Sequence, residues 1–305
     1  MNNRRRLVSV GLVTVCALTL VGPPAGAQEG TLKKIKETGV ITLGHRDASI
    51  PFSYFDDKQA ALGYAIDLCG KIVDAVKAEL KMPNLQVKLN PVTSATRIPL
   101  MANGTIDLEC GSTTNNLERQ KQVSFTITHF VTANRFVSKK AANLKDLNDL
   151  RGKTVVSTSG TTNIKQITEL NGQKNLGITI LPAKDHAEAF LMVETGRAAA
   201  FFMDDILLYS LVASSKTPAE WTISAEALSV EPYGIMLRKD DPSFKKVVDG
   251  AMTAVYKSGE INKIYAKWFL SPVPPKGVNL NVPMSDVFKH VVAKPTDSGD
   301  PNDYK

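Results

Sequence analysis

A chain of 305 residues is long enough for about two domains, and its 43% hydrophobic and 22% charged residues suit a folded protein rather than a disordered one. Three cysteines (Cys16, Cys69, Cys110) with no CxxC pair, and four dispersed histidines, argue against a disulfide scaffold and against a metal site. The formal charge of +7 is spread along the chain and partly carried by its first residues, so it does not indicate nucleic-acid binding.

The chain opens with Arg4, Arg5 and Arg6, then an uncharged apolar run over residues 7–21, then Ala25-Gly26-Ala27. This three-part pattern predicts a signal peptide, residues 1–27, cleaved near Ala27. The apolar run is short for a membrane span of about 20 residues. Val15 before Cys16, where a small residue is needed, argues against a lipid anchor. Removing residues 1–27 takes away three arginines and no acid, leaving a mature charge of +4.

Beyond the leader, Val40-Ile41-Thr42-Leu43 reads as a strand. Residues 64–80 place Ala65, Leu68, Cys69, Ile72, Val76 and Leu80 on one helical face. Residues 86–92 are strand-like, a short helix is expected near Ile98, and Ile106-Asp107-Leu108-Glu109 alternates as a strand does. A β-branched and aromatic stretch follows over residues 123–137. Residues 143–150 read as a short helix, Lys153-Thr154-Val155-Val156 as a buried strand, and Ser159-Gly160-Thr161-Thr162 as a turn into another helix. Strands are then expected at 178–181 and 198–203 and helices at 185–194 and 204–212. This alternation implies parallel sheets with helices on both faces. After Glu231-Pro232-Tyr233-Gly234 come a strand at 235–237 and helices at 242–257 and 260–269. From Ser271 the sequence is proline-rich and weakly periodic, and residues 297–305 are expected to fray.

The chain contains no GxGxxG, HExxH, GxSxG or SxxK pattern. Gly152-Lys153-Thr154 looks like the end of a P-loop, but Leu147 stands where its first glycine should be. What remains is a series of short polar clusters at strand-to-helix junctions, where ligands of open α/β sheets bind.

Those clusters are Gly44-His45-Arg46-Asp47, Pro51-Phe52-Ser53-Tyr54, Gly63-Tyr64-Ala65-Ile66-Asp67, Thr93-Ser94-Ala95-Thr96-Arg97, Asn103-Gly104-Thr105-Ile106-Asp107, Gly111-Ser112-Thr113-Thr114-Asn115-Asn116 with Glu118-Arg119, Ser159-Gly160-Thr161-Thr162, Ala183-Lys184-Asp185-His186 and Phe202-Met203-Asp204-Asp205. In this order, over about residues 31–285, the chain resembles the periplasmic polar amino-acid-binding proteins of ABC importers, and within them the glutamate/aspartate-binding group. Ala65 departs from the family, which usually has an acid there; Asp67 is kept.

The resemblance implies a two-lobed α/β periplasmic binding protein fold of type II, hinged by two crossing strands near 131–135 and 230–234. It implies a discontinuous first lobe (28–132 and 233–271), a second lobe (133–232) and a C-terminal extension (272–305). It implies a monomer in the periplasm that binds L-glutamate or L-aspartate and hands it to the membrane permease of an ABC importer. It implies no cofactor, no metal, no nucleic-acid partner and no catalytic residue.

A dicarboxylic amino acid carries two carboxylates and an ammonium group, and each must be paired in a dry cleft because an unpaired buried charge costs several kcal/mol. By resemblance Arg119 grips the α-carboxylate with Thr114, Thr161 and Thr162, and Asp204, helped by Ser112, accepts the ammonium. Arg46, Ser94, Arg97 and His186 surround the side-chain carboxylate. Three arginines against Asp204 leave this cleft attractive to an anion. For Asp204 a helix-capping role is the bland alternative, with Asp205 beside it as a rival; for Arg119 the alternative is a pair with Glu118 or Glu109; Phe52 and Tyr54 fit either the cleft wall or the core. Trp221 and Trp268 read as packing residues. Cys69 and Cys110, in the same lobe, form either a disulfide or two buried thiols. An exported enzyme on the same fold, of the cyclohexadienyl dehydratase type, is the alternative function, and a sensory module is a third.

Overall fold

The computed structural model describes residues 30–304, so the expected signal peptide lies outside the described residues. Two five-stranded sheets carry the architecture. In the first, Val40–His45 lies between Gln86–Pro91 and Leu108–Cys110, all parallel; Met236–Arg238 then runs antiparallel to Leu108–Cys110 and to Val123–Phe125 at the edge. In the second, Thr154–Thr158 lies between Thr179–Ala183 and Ala200–Asp204, all parallel. Asn134–Lys139 runs antiparallel between Ala200–Asp204 and Trp221–Ile223. The chain passes between the sheets along Phe130–Thr132 and Glu231–Tyr233, which pair antiparallel, Phe130 opposite Tyr233 and Thr132 opposite Glu231.

Helices cover these sheets for reasons legible in the residues. Tyr64–Leu80 buries Tyr64, Leu68, Cys69, Ile72, Val73 and Val76, the stripe that a 3.6-residue period puts on one side. Cys69 on that stripe is disulfide-bonded to Cys110 at the end of Leu108–Cys110, with Cα atoms 6.2 Å apart. The bridge therefore ties a covering helix to its own sheet. Pro242–Lys257 begins with proline at its first position, and the Asp241 side chain accepts from the Phe244 N–H at 3.1 Å. Both are favoured start signals. Asp241 also accepts from the Thr31 N–H at 2.6 Å, which docks the first helix, Thr31–Thr38. In the second sheet's core, Phe136, Val155, Ala200 and Phe202 pack with Leu150 and Ile167.

An aromatic cluster surrounds the crossing strands. Phe130 lies 5.0 Å from Phe52 and 4.9 Å from Phe269, which in turn lies 4.4 Å from Tyr265. Phe52 and Tyr54 are thus core residues rather than cleft walls. Trp221 packs at 4.3 Å on Phe190, and Trp268 donates its Nε1–H to Asp67 at 2.7 Å. This last bond gives the retained Asp67 a structural partner, while Ala65 is fully buried.

His129 sits in the same cluster, fully buried, and neither ring nitrogen has a hydrogen-bond partner. Burial pushes its pKa down to about 3. The unfolded chain therefore takes up this proton first as the pH falls below the usual histidine value near 6.5, and stability contributed by neutral His129 is lost from there toward about pH 3. Relative to wild type, His129→Leu should gain stability on acidification, by up to about 3 kcal/mol between about pH 7 and pH 4. Paired denaturant melts across that range check this; a constant difference would mean that His129 does not titrate on unfolding.

Two segments differ from expectation. Residues 143–150 contain only a short 3-10 turn, Leu147–Leu150, because Asp146 and Asp149 cap each other's backbone within four residues. The C-terminal residues dock rather than fray. Asp286–Ala293 is a helix capped by Ser285, with Phe288 and Val291 buried. Beyond it the Asn115 side chain donates to the Asp297 carbonyl at 2.8 Å, and Tyr304 bonds Thr128 at 2.7 Å. Phe288, Val291 and Tyr304 are too sparse to give a periodic signal, yet each is buried in the core cluster that contains Phe130 and Tyr233.

Candidate functional site

Every expected site residue lies at or just beyond a strand's carboxyl end, or in the turn that follows. From the first sheet, Arg46 follows Val40–His45, Ser94 and Arg97 follow Gln86–Pro91, and Ser112 and Thr114 follow Leu108–Cys110, with Arg119 a turn later. From the second sheet, Thr161 and Thr162 follow Thr154–Thr158, His186 follows Thr179–Ala183, and Asp204 ends Ala200–Asp204. A small cavity of about 10 Å³ is lined by Ser94, Arg97, Ser112, Thr114, Thr161, Thr162, His186 and Asp204, together with Asn163, Met203 and Leu207. Arg46 and Arg119 are not on that lining. They are buried beside it: burial first, and then Arg46 and Arg97, depress the His186 pKa, and burial first, and then Arg97, depress the Arg119 pKa.

Arg119 donates from Nη1 to the Thr114 carbonyl at 2.8 Å and from Nη2 to the Gly160 carbonyl at 3.2 Å, so its guanidinium joins both sheets' loops. Glu118, one alternative partner for Arg119, pairs instead with Lys165 on the surface. Gly160 has φ +77, and a Cβ there would fall 2.5 Å from the Ala95 Cα. Only glycine lets this turn meet the Ser94-Ala95 loop. Thr161 caps the next helix, Thr162–Gln173, accepting from the Ile164 N–H at 3.2 Å and donating to the Thr158 carbonyl at 2.7 Å. A helix start favours an anion. Thr114 and Thr162 approach each other at 3.5 Å across the cavity.

Asp204 lines the cavity without capping its helix. Its Oδ1 accepts from the Asn163 side chain at 2.7 Å and its Oδ2 from the Tyr233 hydroxyl. Asp205 points elsewhere, accepting from Thr132 Oγ1 at 2.5 Å and Arg135 Nε at 3.2 Å. Burial, and then nearby Glu231, push the Asp204 pKa up to about 7. Glu231 itself accepts from the Thr162 hydroxyl at 3.0 Å and the Ser229 hydroxyl at 2.6 Å.

At the other end, Arg97 donates from Nη1 to the Thr113 hydroxyl at 2.5 Å, and Thr113 donates to Glu109. Burial, and then Arg97, push the Arg46 pKa down to about 10, which leaves it charged. His186 is held well below the usual histidine value by burial, then by Arg46 and Arg97, so it is neutral here. Its Nδ1 bonds the Thr158 hydroxyl at 2.8 Å. When Thr158 donates that bond, Nε2 carries the proton. Six buried polar atoms of the site have no partner: Arg46 Nη1, Ser94 Oγ, Arg97 Nε, Glu109 Oε1, Ser112 Oγ and His186 Nε2.

Sequence reasoning missed Glu109, Thr113, Asn163, Glu231 and Tyr233. The charge balance accordingly differs from the reading of three arginines against Asp204: Glu109 and Glu231, both buried, bring the resident carboxylates to three. Attraction to an anion is thus local to the Arg46–Arg97–His186 end. A charged residue at the buried end of a strand, beside Gly111, was the available signal for Glu109. Among the described residues no group of three or more histidine, cysteine or acidic side chains is placed to hold a metal ion.

Two α/β lobes, joined by a pair of crossing strands and meeting at a polar site on the carboxyl ends of their strands, make a hinged solute-binding protein of type II. The chain belongs to the bacterial extracellular solute-binding proteins, family 3, whose profile matches residues 41–271. It is 56% identical over 94% of its length, and 96% of the relative's, to an L-glutamate/L-aspartate-binding protein of Pseudomonas aeruginosa. It is 48% identical to a glutamate/aspartate import solute-binding protein of Salmonella typhimurium, covering 95% of this chain and 96% of that one. Among solved structures, an ancestral arginine-binding protein bound to arginine matches with a TM-score of 0.68 at 29% identity, over 76% of this chain and 98% of that one. These relatives are binding and import proteins by name, which favours a binding function over the dehydratase alternative.

Proposed function

We propose that this protein captures L-glutamate or L-aspartate between its lobes and delivers it to the membrane permease of an ABC importer. The reading includes a periplasmic location after cleavage near Ala27, lobe 1 from residues 28–132 and 233–271, and lobe 2 from 133–232. One observation carries the ligand class: the unpartnered Arg46 Nη1, Arg97 Nε and His186 Nε2 lie at one end of the site with Glu109 as the one carboxylate among them, while the carboxylates Asp204 and Glu231 sit at the other. A zwitterion with an extra carboxylate matches that polarity. Arg119, Thr114, Thr161 and Thr162 would hold the α-carboxylate. Asp204, with Ser112, would take the ammonium, whose arrival favours the ionised form of a carboxyl poised near neutrality. Arg46, Arg97, Ser94 and His186 would take the side-chain carboxylate.

The cavity has room for about one water. An amino acid can therefore enter only when the lobes part, and binding then favours the closed form through contacts that open lobes cannot make together. Closure is the signal a permease can read.

The test is a thermal-shift panel on protein stripped of carried-over ligand, with L-glutamate, L-aspartate, glutamine, asparagine, arginine and a dicarboxylate lacking the amine. Ligand at ~100 times its dissociation constant adds about 2.7 kcal/mol of stability, enough to move the midpoint by several degrees. Shifts with glutamate and aspartate only are expected. A shift with glutamine or arginine alone would overturn the side-chain assignment.

A further inference from the structure

We propose that Glu109 is a resident counter-carboxylate that competes with the ligand's side-chain carboxylate for Arg97 and so limits the affinity for acidic ligands. The inference rests on the side-chain subsite read above.

Glu109 is fully buried in Leu108–Cys110, the strand that leads into the site. Burying a carboxylate is costly unless it is paired. Its Oε2 accepts from the Thr113 hydroxyl, which itself accepts from Arg97 Nη1 at 2.5 Å. Its Oε1 lies 3.9 Å from Arg97 Nη1 and has no hydrogen-bond partner. Gly111 makes room for this carboxylate: a Cβ there would fall 2.3 Å from Oε1 and 3.1 Å from the Arg46 Cγ. Glu109 is therefore wedged between the two arginines assigned to the ligand's side chain.

Two consequences follow from that position. Without ligand, Arg46 and Arg97 are buried like charges, and Glu109, ahead of Asp185 and Asp47, is the carboxylate that most offsets the field on Arg46. With ligand, a second carboxylate enters the same field and must share Arg97 with Glu109. A delivery protein has a use for such a competitor, because what it binds it must also release.

Glu109→Gln keeps the side-chain shape and removes the charge. In the unliganded protein the melting point should fall by several degrees. The glutamate Kd, by titration calorimetry, should tighten by about tenfold, while glutamine, which brings no side-chain charge, changes by less than about twofold. The double variant Arg97→Gln/Glu109→Gln removes both charges, and its unliganded melting point should return toward wild type. A glutamate Kd that is unchanged, or that weakens in step with glutamine, would overturn the inference. So would a double variant that melts below Glu109→Gln, since Glu109 would then act through packing alone. If Glu109→Gln does not fold, recovery of a folded double variant supports the charge role and failure of both overturns it. Wild-type protein that does not bind glutamate would instead refute the functional reading beneath it.

Discussion

Arg119→Ala is expected to abolish measurable binding of every amino acid, a loss of about a hundredfold or more. The reason is geometric. The α-carboxylate is common to all these ligands, so the group that holds it cannot discriminate among them. Arg119 is held by the Thr114 carbonyl of its own lobe, which orients its guanidinium before any ligand arrives, and the Gly160 carbonyl of the other lobe meets it on closure. A pre-oriented planar fork loses little entropy on gripping a carboxylate. Its removal leaves the α-carboxylate with hydroxyl and backbone donors but no cation in a buried place. It also frees two carbonyls that help bring the loops together, so closure itself should weaken. Arg119→Lys restores the charge without the fork and should recover only part of the affinity, equally for glutamate and aspartate. Calorimetry on the variants, with unliganded melting points as the folding control, checks this. Retention of glutamate binding within about fivefold of wild type in Arg119→Ala would remove Arg119 from the α-carboxylate.

Much of the fold was legible because its signals are local. Pro242–Lys257, Glu260–Phe269 and Tyr64–Leu80 are bounded as the apolar period and the proline, glycine and acidic flanks predict. The docked tail was not, because Phe288, Val291 and Tyr304 find their partners in a cluster assembled from distant parts of the chain. The candidate site divides along the same line. Its expected members sit in short polar strings that the resemblance makes readable. The missed ones, Glu109, Thr113, Asn163, Glu231 and Tyr233, matter through what lies opposite them in space. Glu231 and Tyr233 mark a crossing strand in sequence, and only the pairing with Phe130–Thr132 turns their side chains toward Thr162 and Asp204. Whether Cys69 and Cys110 pair was open for the same reason: spacing along the chain does not give the distance between a helix face and a strand end.

Arg97→Ala should weaken glutamate by about 10- to 100-fold and glutamine by only a few-fold, since a charge-assisted hydrogen bond contributes roughly 1.5–3 kcal/mol. One guanidinium edge of Arg97 is already committed, with Nη1 on Thr113 and on the Ser112 carbonyl at 3.3 Å. The unpartnered Nε is the edge left for a ligand, and a carboxylate there pairs two opposite charges where a side-chain amide brings no charge of its own. The variant has a second effect of the same sign. It strips Glu109 of its nearest cation, and the exposed field of that carboxylate then repels glutamate but not glutamine. Both effects therefore fall on the charged ligand, and the ratio of the two affinities should collapse even if Arg46 and His186 keep their places. Adding Glu109→Gln to Arg97→Ala should recover part of the glutamate affinity and leave glutamine unchanged, because only the repulsion is relieved. Equal losses for glutamate and glutamine in Arg97→Ala would mean that Arg97 shapes the cleft without touching the side-chain carboxylate.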